Sequence, residues 1–326
     1  MERNGGWTRV SWYLATRSVY RGNRSTLLLT ILIIALVMVL MNFLGIIIGG
    51  VITLYNDQMI DFQYGHVMIE PRDRENRIHH ADLLVSRLKG IPGVKGVSAR
   101  YSTGVTITNP KNGRFQSISL TGFDPGDEQY VTRYQEKIID GDYLSPGDTD
   151  EIIIGTLLAG EEEESQDKLP SLGGISVGDR VEVAFRNGVV KSFRVKGIYE
   201  TLGALIDHEA FITRAAMNEV IPDGDEATGI LITGESSRDA PVLRDTLLGF
   251  GVGEQIKTWN EKGQGILGDA IASINLINAI MTIVALIVAS VVIFIVTYIN
   301  VINRKKQIAI LKALGVRKQI IHGSYL

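Results

Sequence analysis

The chain has 326 residues, 45% of them hydrophobic and 21% charged, with 33 Lys and Arg against 36 Asp and Glu and no cysteine. Disulfides and thiolate metal sites are therefore excluded. The length would allow two ordinary soluble domains, but the average composition hides a strongly uneven layout.

Residues 1–25 are predicted to be a cytoplasmic amphipathic segment. Trp7, Val10, Trp12, Tyr13, Leu14, Val19 and Tyr20 stand among arginines, the pattern of a helix lying in the headgroup layer. From 27 to 54 there are about 28 residues with no charge and one strongly polar side chain, Asn42, where a bilayer core needs roughly 20. Residues 26–55 are accordingly a first transmembrane helix, too long for a buried core helix or the apolar region of a signal peptide. Within it Gly45 and Gly49 form a small-xxx-small pair suited to helix packing, a spacing that also arises by chance in apolar runs.

Residues 56–128 show a strand at 66–70, a helix over Ala81–Lys89 with Leu84 and Leu88 one turn apart and Gly90 as a stop, and a second strand from Val94. Residues 201–272 repeat the order, with a strand at Gly229–Thr233, a capping-box spacing of Ser236 and Asp239 before a helix at 242–248, and a strand at 254–259. Two βαβ-like units suggest an α+β layer of ferredoxin type.

Residues 129–200 read as a β-rich insert. Glu151 to Ile154 is strand-like, and Arg180–Phe185 alternates strictly before Asn187-Gly188 and a second alternating strand. A three-residue loop, Arg186-Asn187-Gly188 with Gly188 left-handed, sets Phe185 against Val189 and Val181 against Phe193, which keeps apolar residues on one face. The acidic run 161–164 is a solvated loop or a weak cation site.

Residues 273–302 form a second apolar helix: Asn275, Asn278, Thr282, Ser290, Thr297 and Asn300 interrupt it, but no charge does. Residues 303–326 are a cytoplasmic coupling segment. Ahead of the first crossing stand five arginines against Glu2, and after the second come six bases and no acid. Both ends are thus cytoplasmic by the positive-inside rule. Removing those eleven bases and one acid from the totals leaves 22 bases against 35 acids between the crossings, a net charge of −13. That acidity argues against nucleic-acid binding.

No G-x-x-x-x-G-K-[ST] loop is present, so any ATP and Mg would be held by a partner. His79 and His80 are adjacent, but no H-E-x-x-H or second ligand pair supports a metal site. No G-x-S-x-G elbow surrounds a serine, and Asp148 and Asp150 sit in turn-rich sequence. Neither a catalytic residue nor a cofactor or metal site is expected in this chain.

Gly141-Asp142-Tyr143-Leu144, the run from Glu151 to Ala159, Val177-Gly178-Asp179 and the run from Phe193 to Ile198 closely resemble the MacB/LolCE-type ABC-transporter permeases. The segment from Asn303 to Gly315 looks like the cytoplasmic signature of that MacB/LolCE/FtsX-like superfamily. The resemblance implies a permease subunit that dimerises, binds ABC ATPase subunits and works by mechanotransmission for export or lipoprotein release. The βαβ layer would be the porter-like part and the insert the sabre-like part.

Family permeases have four crossings, so this sequence is expected to be a fragment or to have its other half supplied separately. Gln307 stands where the signature usually has glutamate, which puts one charge contact with the ATPase in doubt. In the coupling segment Ile308, Leu311 and Leu314 recur at helical steps beside Lys312, Ala313 and Gly315, the pattern of a helix docking on a partner or lying on the membrane. An FtsX-like regulator of cell-wall enzymes and a two-helix sensor are the alternative functions; a sensor would need a signalling module after Ile302.

Overall fold

The computed structural model describes residues 24–303 apart from 163–168, 202 and 223–224, together with residues 305, 309, 310, 313 and 315. The amphipathic segment at 7–22 and the coupling residues Gln307, Ile308, Leu311, Lys312 and Leu314 lie outside the described residues, as do Glu163 and Glu164. The chain divides into two compact units, residues 1–51 with 270–326, and residues 52–269.

In chain order the helices are α1 (Arg24–Gln58), α2 (Ala81–Lys89), α3 (Pro125–Glu128), α4 (Thr156–Ala159), α5 (Arg214–Val220), α6 (Ala240–Gly249) and α7 (Trp259–Asn303). The strands are β1 (Val67–Glu70), β2 (Ile78–His79), β3 (Gly96–Thr108), β4 (Phe115–Phe123), β5 (Ile138–Gly141), β6 (Glu151–Gly155), β7 (Arg180–Phe185), β8 (Val190–Tyr199), β9 (Ala210–Thr213), β10 (Glu226–Ala227), β11 (Gly229–Thr233) and β12 (Gln255–Thr258).

The first unit holds most of α1 and α7, whose side chains leave the apolar surface open: Leu32 is 65% exposed and Phe294 69%. Among the described residues one stretch, the 20 residues Leu276–Ile295, is long and apolar enough to cross a membrane. At about 1.5 Å per residue it matches a hydrocarbon core of roughly 30 Å. The first predicted crossing is helical throughout its described length, within the 35 residues of α1.

In the second unit the sheet begins in the order β12-β1-β11-β3, with every neighbouring pair antiparallel. β1 and β3 are therefore parallel with β11 between them, and β11 and β12 are parallel with β1 between them. These are two interleaved split βαβ units, carried over α2 and α6, and they enclose a core that includes Ile69, Val85, Leu88, Val97, Ile232 and Leu247.

The β-rich part differs from its expected outline. It is not a separate insert over 129–200 but runs from the turn after Thr108 to the end of α5 at Val220, and it shares β3 with the βαβ layer. The register explains why: β3 pairs with β11 over Gly96 to Arg100 and with β7 over Val105 to Thr108, while β4 follows its other edge. From β3 the pairing passes through β4, β9, β6, β8 and β7 and returns to β3, a closed ring of six strands. Its interior is filled by Ile107, Leu120, Ile152, Ile154, Val183, Phe193 and Met217, among others. The β7–β8 hairpin has Val181 opposite Phe193, Phe185 N–H donating to Val189 O at 2.9 Å, and Gly188 at φ +84°.

Local chemistry shifts two predicted boundaries. Ser236 accepts from Arg238 N–H and so caps a short 3-10 turn at Ser237–Asp239, not the helix; Asp239 precedes α6 without a side-chain cap. Trp259, expected to end a strand, begins α7.

Candidate coupling junction

Helix α1 ends inside the folded domain. Past Gln58 it widens into a π-helical turn, Met59–Tyr64, in which Met59, Phe62 and Tyr64 are buried. Gly65, at φ +61° and ψ −153°, then turns the chain directly into β1. A Cβ at Gly65 would stand 3.0 Å from Ile232 O, so both conformation and space favour glycine there.

The terminal carbonyls of a helix need partners. Here the Arg100 guanidinium, reaching from β3, donates to Phe62 O at 3.0 Å and to Gln63 O at 3.5 Å. The same guanidinium makes a very short contact with Glu128, whose carboxylate also accepts from Ser98 Oγ at 2.5 Å and Thr132 Oγ1 at 2.7 Å. Glu128 is positioned by α3, which Asp124 caps by accepting from Gly126 N–H at 2.7 Å. Burial works against the Arg100 charge, but the Glu128 carboxylate outweighs it and raises the guanidinium pKa.

Further ties surround the helix end. Gln58 Nε2 donates to Thr201 O at 3.1 Å, Arg133 N–H to Asp61 O at 3.0 Å, and Gln63 Nε2 to Glu209 Oε2 at 3.2 Å. Burial pushes the Glu209 carboxyl above its ordinary value, against the opposing pull of Gln63 and Arg100. Beneath lies an aromatic cluster, with Tyr134 at 5.2 Å from Phe62, 5.2 Å from Tyr199 and 4.5 Å from Phe211 between ring centroids. Tyr199 Oη donates to the carbonyls of Ile206 and Glu209, whereas the buried Tyr134 hydroxyl has no partner among the described residues.

Helix α7 starts on the neighbouring strand. Thr258 and Glu261 form a reciprocal capping box: Thr258 N–H donates to Glu261 Oε2 at 2.8 Å and Glu261 N–H to Thr258 Oγ1 at 3.3 Å. Trp259 N–H donates to His66 O at 3.1 Å and its indole Nε1 to Ser237 O at 3.0 Å. Glu70 on β1 bridges Lys257, at 2.7 Å, and Lys262 on α7. Burial alone would raise the Glu70 pKa, but the two lysines together hold it below its ordinary value. The end of α1 and the start of α7 thus meet across one strand pair, with Val67 opposite Thr258.

Sequence reasoning missed this junction apart from its strands. The T-x-x-E spacing at Thr258 and Glu261 was a usable signal; Arg100 and Glu128 carry none. Of the residues singled out beforehand, Ala313 is helical and exposed and Gly315 has φ +81°, a left-handed conformation that commonly ends helices. Among the described residues, and outside the helix's own backbone, no atom lies within 4 Å of a Cβ built at Gly45 or Gly49.

His79 Nδ1 lies 2.8 Å from Glu226 and His80 Nδ1 3.8 Å from Asp225, and among the described residues no three His, Cys, Asp or Glu side chains are grouped to hold a metal. A cavity of about 220 Å³ between α2 and the loop after α6 is lined by Arg72, His79, His80 and Arg87 with Leu83 and Phe250. Arg72 is already engaged by Gly253 O and Glu254, so the polar groups do not converge on a free site.

Helix α7, which begins where β12 ends, contains a stretch long and apolar enough to cross a membrane. The MacB-like periplasmic core domain matches residues 27–248 and the FtsX-like permease C-terminal domain matches residues 279–326. The chain belongs to the MacB/FtsX-like superfamily of ABC-transporter permeases. An ATPase partner goes with that membership in general.

Among solved structures, the chain is similar to the extracellular domain of YknZ, a noncanonic ABC-type transporter from Gram-positive bacteria. There the identity is 18%, the coverage 59% of this chain and 97% of that one, and the TM-score 0.40. The periplasmic region of MacB from Actinobacillus actinomycetemcomitans is 14% identical over 66% of this chain and 97% of that one, with a TM-score of 0.44. A domain of a putative permease protein from Porphyromonas gingivalis is 13% identical over 60% and 89%, with a TM-score of 0.36. No curated protein matches the chain.

Proposed function

We propose that this chain transmits ATP-driven movement from a cytoplasmic ABC ATPase to its outer domain, for export or lipoprotein release, without carrying substrate through a channel of its own. In this reading residues 26–55 and 273–302 both cross the cytoplasmic membrane, both ends are cytoplasmic, and residues 56–272 face outward. The segment from Ile308 to Gly315 docks on the ATPase, which holds the ATP and Mg, and a second permease subunit completes the dimer.

The observation that carries the reading is the strand pair at the junction. β1 follows α1 through the buried π-helical turn Met59–Tyr64, Gly65 and His66, and β12 runs into α7 without a break, so a displacement of either helix passes into a hydrogen-bonded ladder with Val67 opposite Thr258. A compliant connection at this point would absorb the motion.

Inserting Gly-Gly between Thr258 and Trp259 in the full permease with its ATPase is therefore expected to abolish transport while ATPase binding and basal hydrolysis persist. The same insertion in the β3–β4 turn, after Asn112, serves as control and leaves transport near normal. Full transport with the junction insertion would refute the reading.

A further inference from the structure

We propose that His66 is an acid-sensitive latch that fastens the root of the two long helices when its ring is neutral and releases it when the ring gains a proton. His66 sits between Gly65, which ends the turn after α1, and β1. Its own N–H donates to Ile232 O at 2.9 Å, and its carbonyl accepts from Trp259 N–H at 3.1 Å.

The side chain adds a third tie, because Gly234 N–H donates to His66 Nδ1 at 2.9 Å. A backbone N–H can only donate, so Nδ1 must present its lone pair and the ring must be unprotonated for this bond to exist. A proton on Nδ1 sets two donors against each other and leaves Gly234 N–H unpaired. Gly234 packs closely, since a Cβ there would lie 3.1 Å from both Gly93 O and Leu243 Cδ2. The end of β11 would then part from the start of β1.

The charged groups facing the ring are Asp61, in the turn after α1, and Asp239, ahead of α6. Both favour the cation, while burial, the stronger influence, lowers the pKa below 6.5. β11 and α7 meet His66 through the backbone groups of Ile232 and Trp259. With the folded pKa depressed, the latch contributes stability above the ordinary histidine value and loses it as pH falls through the folded one.

The inference deepens the coupling reading, but its first test stands apart from it. Hydrogen exchange of residues 230–236 would be measured in the full permease in lipid nanodiscs, at about pH 4.5 and 7.5 and relative to the intrinsic rate. Wild type is expected to lose protection about tenfold at the lower pH, the scale of one lost hydrogen bond. His66→Asn keeps an uncharged acceptor and is expected to stay protected at both, while His66→Leu is unprotected at both. Equal protection of wild type at the two pH values, or an equal loss in His66→Asn, would overturn the latch. If the exchange behaves as expected and transport ignores the same pH change, the coupling reading fails and the latch stands.

Discussion

Arg100 and Glu128 stand 28 positions apart, yet they form an ion pair whose side chains are only 9% and 0% accessible, and through it the helix entering the domain is held to the sheet. Removing one partner strands the other charge among Phe62, Tyr134 and their neighbours. Glu128→Ala is expected to cost about 3–5 kcal/mol, read as a lower thermal midpoint of the full chain in detergent. Arg100→Met with Glu128→Leu should recover only part, since Phe62 O then lacks its donor. A near-zero loss for Glu128→Ala would contradict the burial.

Two tyrosines of the same cluster should respond oppositely. Tyr134→Phe is expected to be neutral or stabilising, because the hydroxyl it removes has no partner among the described residues. Tyr199→Phe strips a hydroxyl bonded at 2.8 and 2.9 Å to two carbonyls and should cost about 1–3 kcal/mol. Thermal melts of the two variants side by side decide it.

Gly65→Ala combines a backbone conformation that side chains avoid with an approach of 3.0 Å to Ile232 O. Gly93 also has a left-handed backbone, φ +88°, but open space around its Cβ position. Gly65→Ala should therefore cost more than Gly93→Ala, by about 1–3 kcal/mol, in the same melts. Equal losses would show that the close approach is unimportant.

Acid should loosen the outer domain in a defined window. Two lysines hold Glu70 down against its burial, and Lys196 and Ser145 N–H do the same for Asp148; the Lys111 hydrogen bond lowers Asp179, and Thr258 N–H lowers Glu261. Each contributes stability above its ordinary value, 4.5 for glutamate and 3.8 for aspartate, and loses it as pH falls through the lower folded one. Glu209 runs the other way: its raised pKa favours folding below 4.5 and loses that contribution as pH rises through the folded value. Glu209→Gln should be more stable than wild type above that window and no better below it.

Topology has its own test, since a chain without cysteine gives no labelling background. Single Cys replacements at Lys111 and Asp225 are expected to react with an impermeant reagent in intact cells, and one at Lys318 is not. The reverse pattern would invert the orientation.

The β7–β8 register was legible because alternation and the Asn187-Gly188 turn together leave one pairing that keeps Val181, Val183 and Phe193 on one face. Helix α2 was legible from its apolar spacing and the glycine after it, although Val85 lies deeper than the expected Leu84. The ring closure was not, because alternation tells which face a residue takes and nothing about which strand lies beside it. The β3–β7 pairing and the parallel β4–β9 and β6–β8 pairings join segments with no local turn between them. Arg100 and Glu128 carry no local signal because only the completed fold brings Ser98, Thr132 and the end of α1 around them.

The 13-residue β3 belongs to both halves of the outer domain, its first residues bound to β11 and its last to β7. At about 3.3 Å per residue it is a beam ~43 Å long. The closed ring stiffens its far end, while its near end lies in the sheet that carries Val67 and Thr258. If the junction moves as proposed, a tilt of about 10° at that root would swing the tip by roughly 7 Å on this strand spacing, so a small hinge movement would become a larger displacement at the far end of β3.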